Sequence, residues 1–286
     1  MCKSPSSFNP LTATAAEIAE YGLPKRPEKD AGLDVWLDLV KSVKQRICLT
    51  NEETMPGHHH IYSVAGLYWS GYIAESANGA AVRAVYGYYT PYRCDTTGSS
   101  HIKIVAWVGI GGFNSPDLWQ AGIENDYSTS GGPFYWYDEF PKTGIIKITP
   151  GIGYTCGDEL YTYVDYNYTT PGDAYYIITD RTTGKGMMNE YNYAPSQNSA
   201  EWIDERPGCG GNNNYALGNF YTDEWSGYYW DVEGNFYSIG GSGSYYYEAY
   251  INQNGNIAYP GSLYQVGSHP AAGFIDWYDG TGTSGC

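Results

Sequence analysis

Ile102-Lys103-Ile104-Val105-Ala106-Trp107-Val108-Gly109-Ile110 decides the fold class of this chain. Successive side chains of a strand point to opposite faces. Ile102, Ile104, Ala106, Val108 and Ile110 therefore form one unbroken apolar face, while Lys103, Val105 and Trp107 stand on the other. A period of two with one wholly apolar face describes a strand packed on a core. Working outward, further short strands are expected at 68–74, 80–89, 118–124, 134–140, 145–149, 159–167, 175–180, 200–205, 218–221, 235–239, 245–252 and 263–266. Many short strands with turn signals between them predict an all-β sandwich of two antiparallel sheets. Composition agrees: 32 Tyr and 9 Trp favour pleated, half-buried surfaces, and 37 Gly supply turns and bulges.

Residues 1–60 read differently. Thr14-Ala15-Ala16-Glu17 fits a capping box and Gly22 a helix stop, predicting a helix over 14–21. Leu33, Leu37, Val40, Val43 and Ile47 recur at helical spacing and predict a second helix over 33–47. Thr54-Met55-Pro56-Gly57-His58-His59-His60 reads as a linker. The expected division is a helical N-terminal extension over 1–60 and a β-sandwich domain over 61–286.

The net charge is −16, with residues 1–50 at +1 and the remainder at −17. A surface this acidic repels phosphate backbones and argues against nucleic-acid partners. Crowded carboxylates raise one another's pKa, which suits an acidic setting. Six cysteines, Cys2, Cys48, Cys94, Cys156, Cys209 and Cys286, stand far apart with no CxxC or Cys/His ligand spacing, so no metal centre is expected and disulfides are compatible. No apolar run is long enough to span a membrane, so no membrane partner is expected. Met1-Cys2-Lys3-Ser4 lacks the apolar stretch of a signal peptide. There is no GxSxG elbow, no GxxxxGK[ST] loop and no HExxH helix, and no cofactor is called for.

Carboxylate and amide chemistry remains, in three segments. The first joins Ala106–Gly112 to Leu118-Trp119-Gln120-Ala121-Gly122-Ile123-Glu124. On that second strand Leu118, Gln120, Gly122 and Glu124 share a face, and Trp119, Ala121 and Ile123 share the opposite, apolar one. The other segments are Tyr135-Trp136-Tyr137-Asp138-Glu139-Phe140-Pro141 and Ala200-Glu201-Trp202-Ile203-Asp204-Glu205-Arg206-Pro207. In the last, Glu201, Ile203 and Glu205 share one face. Each of these polar residues taken singly also fits an ordinary solvated strand surface.

Taken in order, the segments resemble the motifs of the glutamic peptidases, or eqolisins. That family carries W-V-G-I-[DG]-G, L-Q-T/A-G, Y-E-W-x-P-like and A-E-[WF]-I-x-E strands. They match Trp107–Gly112, Trp119–Gly122, Trp136–Pro141 and Ala200–Glu205. Tyr68–Gly71, Thr149–Asp158 and Asp180–Lys185 match lesser motifs, so the resemblance covers roughly 65–230. The segment from Phe8 to Pro27 is similar to the extension of bacterial members. The resemblance implies a lectin-like (concanavalin A-like) sandwich and an acid-acting endopeptidase. It also implies a protein or peptide substrate, a monomer and a secreted setting. It implies a catalytic pair of Gln120 and Glu205, with Trp107 lining the cleft and Glu124, Trp136, Asp138, Glu139 and Glu201 as supporting residues. Ionised Glu205 would take a proton from water and Gln120 would stabilise the oxyanion. Three supporting acids depart from the pattern, with Gly111 for the Asp of G-I-D-G, Asp138 or Glu139 for the Glu of Y-E-W, and Glu124 for an Asp after the Gln motif. The alternatives are an inactive homologue, a carbohydrate-binding module, and a glycosidase using Glu201 and Glu205. The last is disfavoured because residues four apart on a strand lie ~13 Å apart, more than the ~5–9.5 Å between paired acids.

Overall fold

The computed structural model describes residues 9, 11–20, 26–27, 33–42, 45–46, 51–54, 65–66, 68–91, 102–127, 132–149, 153–167, 171–210, 213–252 and 256–280. The His58–His60 run, four of the six cysteines and most of the expected linker lie outside these residues. Cys156 and Cys209 are each disulfide-bonded. No helix among the described residues is long and apolar enough to cross a membrane.

Two antiparallel sheets pack face to face. The front sheet runs, in spatial order, Ser244–Asn252, Trp69–Ser76, Ala200–Glu205, Ile102–Gly111, Leu118–Asp126, Gly132–Phe140, Ile146–Thr149 and Asn51–Thr54. The back sheet runs Lys185–Tyr191, Ala174–Asp180, Leu160–Tyr166, Val82–Pro91, Thr222–Asp231, His269–Tyr278 and Asn256–Pro260. The Ser244–Asn252 strand also pairs with Asn256–Pro260 and so joins the two sheets. Sheets this twisted curl, and a shared strand closes one side of the sandwich.

The core between the sheets is largely aromatic. Trp119, Trp202, Trp225, Tyr72, Tyr137, Tyr176 and Phe274 belong to one buried cluster. Trp202 of the front sheet donates its indole N–H to the Tyr86 carbonyl of the back sheet (2.8 Å), and Trp119 donates to the Tyr175 carbonyl (3.0 Å). Trp202 fits because Gly87 and Gly227, paired in register, leave a socket. A Cβ on Gly227 would lie 2.4 Å from the indole nitrogen, and one on Gly87 would lie 3.0 Å from Cδ1.

The helical extension is present in part. Thr14 and Glu17 cap the Ala15–Glu20 helix reciprocally, through Thr14 N–H to Glu17 Oε2 (2.7 Å) and Glu17 N–H to Thr14 Oγ1 (3.2 Å). The second helix covers Leu33–Ser42, shorter than its apolar spacing predicts, because Gln45–Arg46 instead pairs with the edge strand Lys185–Tyr191. Thr54, expected in a linker, ends the Asn51–Thr54 strand. Three strands carry no readable alternation: Lys185–Tyr191, Thr222–Asp231 and His269–Tyr278. Around Tyr228 the back sheet is apolar on both faces, since the Leu33–Ser42 helix packs Val35 on its outer side with Tyr86, Tyr161 and Tyr228, and Gly227–Asp231 is buried throughout. A strand buried on both faces loses the period of two. The expected strand at 218–221 is a connector, and Ala216–Leu217 pairs with the Ile102–Gly111 strand instead.

Acids also occupy this core. Asp204 accepts from the Trp225 indole (2.9 Å), and the Ser70 hydroxyl donates to Asp276 (2.6 Å). Asp223 pairs with Asp276 in register, and all three aspartates are buried. Burial pushes Asp204 and Asp276 well above the usual carboxylate range, and the neighbouring carboxyls add to it. An acid with a raised folded-state pKa binds more protons folded than unfolded. Its contribution to stability is complete below the unfolded value of about 3.9 and is lost as pH rises through the folded value. Thermal unfolding by circular dichroism between about pH 3 and pH 7 should therefore show a midpoint that falls as pH rises. Asp276→Asn should lessen that fall, and a midpoint climbing with pH would contradict the account.

Candidate active site

The outward face of the front sheet gathers the polar residues of the motifs. Alternation sends Trp119 and Trp202 into the core, so Gln120 and Glu201, their chain neighbours, must point the other way. Register then decides which of these residues meet. Gln120 pairs with Gly109, and Gly109 pairs with Glu201. Gln120 and Glu201 thus stand two strands apart in one cross-strand row, about 10 Å between backbones, on either side of Gly109. A Cβ on Gly109 would meet Leu118 Cδ1 at 2.7 Å, Trp107 Cζ3 at 2.8 Å and Glu201 Oε2 at 3.2 Å. The glycine therefore makes room for the Leu118 side chain, the indole edge and the Glu201 carboxyl.

Asp138 sits directly across from Gln120 on the next strand. It accepts from Gln120 Nε2 (3.3 Å) and from Thr143 Oγ1 (3.2 Å), which fixes the amide. Gln120 Oε1 is buried and has no hydrogen-bond partner among the described residues. The Glu201 carboxyl is also buried. Burial pushes its pKa well above the usual range, against the pull of the Ser199 hydroxyl and the Phe113 backbone. A buried carboxyl in the same cross-strand row as an oriented amide is an arrangement able to activate and hold a water molecule.

The expected partner Glu205 lies elsewhere. It pairs with Val105, four residues along the central strand from Gly109, so it is displaced from the Gln120 row by ~13 Å. Its Oε2 accepts from Trp107 Nε1 (2.7 Å). The indole thus spans the gap, with its nitrogen at Glu205 and its far ring edge at Gly109. Trp136 shares the Trp107 row across Gly122, where a Cβ would lie 2.8 Å from the Trp107 Cα. Glu124 shares the Glu205 row and is bonded to buried Lys103 (3.0 Å), and burial still raises its pKa.

Glu139 is not part of this face. It pairs with core-facing Trp119, and its carboxylate meets Lys142 (2.8 Å), so Asp138 alone fills the acid position beside Gln120. Gly111 has φ +85°, and a Cβ there would lie 2.5 Å from the Ser196 carbonyl oxygen. No side chain fits, which explains the missing acid of the first motif. Sequence reading passed over Thr143, Ser199 and the spacer role of Gly109. A glycine inside an otherwise perfect strand was the available signal for the last of these.

A sequence model described as the peptidase A4 family matches residues 67–266. The chain belongs to that family, the glutamic peptidases that its motifs resemble, and is a peptidase. The fold is similar to a crystal structure of scytalido-glutamic peptidase with a transition state analog inhibitor. The identity is 17% and the TM-score 0.55, covering 74% of this chain and 98% of that one. It is also similar to SCP-B, a member of the eqolisin family of peptidases, in a complex with the tripeptide Ala-Ile-His, with 16% identity, TM-score 0.50 and the same coverages, 74% and 98%. No curated protein matches the chain.

Trp107→Phe keeps the ring but leaves the buried Glu205 carboxyl without its indole donor. It should destabilise the fold by about 1–3 kcal/mol in urea unfolding; an unchanged midpoint would show that Glu205 finds another partner.

Proposed function

We propose that the chain is an acid-acting endopeptidase whose catalytic pair is Gln120 and Glu201, with Glu205 positioning Trp107. The observation that carries this reading is the row in which Gln120 and Glu201 face each other across Gly109. Ionised Glu201 takes a proton from water as its oxygen attacks the peptide carbonyl. The tetrahedral oxyanion accepts from the Gln120 amide, an interaction worth ~3 kcal/mol in comparable sites. The C–N bond then breaks, and protonated Glu201 delivers the proton to the departing amine. Because the pKa of Glu201 is raised, the acid limb of kcat/KM should lie above the value of about 4.3 for an ordinary glutamate. The disulfides at Cys156 and Cys209 support action in an oxidising, extracellular setting.

Digestion of a denatured protein at mildly acid pH tests the assignment. Gln120→Ala should lower kcat by about 10²–10³, and Glu201→Gln by at least as much, whereas Glu205→Gln should retain part of the activity. Near-full activity in Glu201→Gln with complete loss in Glu205→Gln would return the base to Glu205.

The pair is fully buried in this structure. The N-terminal extension pairs with one edge of the site sheet, through Asn51–Thr54 beside Ile146–Thr149. This supports an activation role for residues 1–60. Acid incubation followed by N-terminal sequencing should show activity appearing as the extension is cleaved. Full activity in an uncleaved chain would make it a permanent part of the fold.

A further inference from the structure

The outer face of the back sheet lies on the opposite side of the sandwich from Gln120. It carries two cavities of about 270 and 300 Å³ that share Tyr88, Glu159, Ser226 and Val266 and so form one groove. Ser226 forms the floor, paired with Tyr88 on one side and Gly273 on the other. A Cβ on Gly273 would lie 2.5 Å from the Tyr264 ring, so that ring covers the glycine. The Arg181 guanidinium lies 4.8 Å from the centre of the Tyr88 ring.

Three carboxylates line the groove, and each is already held. Tyr264 donates to Glu224 (3.0 Å), His269 meets Asp34 (3.0 Å), and Arg181 is ion-paired to Glu159. The same face continues into an exposed aromatic pair. Tyr259 and Trp277 stand side by side in register, 38% and 42% exposed. Gly261 allows this, since a Cβ there would meet the Trp277 indole nitrogen at 3.0 Å. Trp277 is two residues from Ile275, which pairs with Glu224, so the pair lies about 7 Å from the groove.

We propose that the groove and the Tyr259–Trp277 pair form a binding site for a neutral glycan chain, independent of the peptidase site. Exposed aromatic faces pack the C–H faces of pyranose rings, and their polar tips stay wet. Carboxylates offer several acceptor positions, so Glu224, Asp34 and Glu159 add acceptors for sugar hydroxyls beside the aromatic faces. The net charge of −16 disfavours anionic polymers. A basic peptide is disfavoured at Glu159, which the Arg181 guanidinium already neutralises.

Isothermal titration of the full chain with cello-, malto- and manno-oligosaccharides tests this. At least one should bind, and Trp277→Ala and Tyr264→Ala should each weaken it by about tenfold or more. Peptide hydrolysis and the thermal midpoint should stay unchanged. The proposal is overturned if none of the three binds the wild type, or if binding survives both substitutions. It is equally overturned if oligolysine binds with the same dependence on Trp277 and Tyr264, which would make the groove a cation site.

Discussion

The structure depends on two tryptophans that tie one sheet to the other. Trp119 and Trp202 leave the front sheet on its inner side, and each donates its indole N–H to a backbone carbonyl of the back sheet. Burying an indole with its N–H satisfied combines a large apolar area with a fixed direction. Each tryptophan stands next in the chain to a residue of the proposed pair, Gln120 and Glu201. Because side chains alternate, locking the tryptophan inward locks its neighbour outward. The same interaction that closes the core therefore aims the site. The paired glycines at 87 and 227 are part of this constraint, since the Trp202 ring occupies the volume their side chains would take.

The second theme is carboxyl groups held out of water. Asp204 and Asp276 in the core, and Glu201 and Glu124 on the site face, all have pKa values raised by burial. Of these, only Glu124 has a buried cation beside it, Lys103. A protein built this way folds best when such groups carry protons, and the same burial raises the pKa of Glu201, the proposed general base. Stability and chemistry thus share one cause.

Much of the site was legible in the chain. The alternation in 102–110 and 118–124 placed Gln120 and Trp107 away from the core, and the ordered motifs brought the three segments together. The choice between Glu201 and Glu205 was not legible. Both lie on the same face of one strand, so alternation treats them alike. Register separates them, because it sets Gly109, which has no side chain, between Gln120 and Glu201 and sets Val105 beside Glu205. Register arises from pairing between strands nearly a hundred residues apart, which no local pattern encodes. The Gly227–Asp231 half of the Thr222–Asp231 strand was missed for a related reason: both faces are covered there and the period of two disappears.

Read from the chain alone are the all-β sandwich, the carboxylates and the amide of the motif strands, and the faces of those strands that look outward. These follow from side-chain period and residue type, which are local properties. The assembled sheets set which glutamate shares a cross-strand row with Gln120, that Asp138 and not Glu139 accepts from its amide, and that Gly111 admits no acid. They also decided that Tyr264, Trp277 and Ser226 share one surface. Each of these depends on how distant strands align and on the space a neighbouring side chain leaves, and both are properties of the assembled sheets.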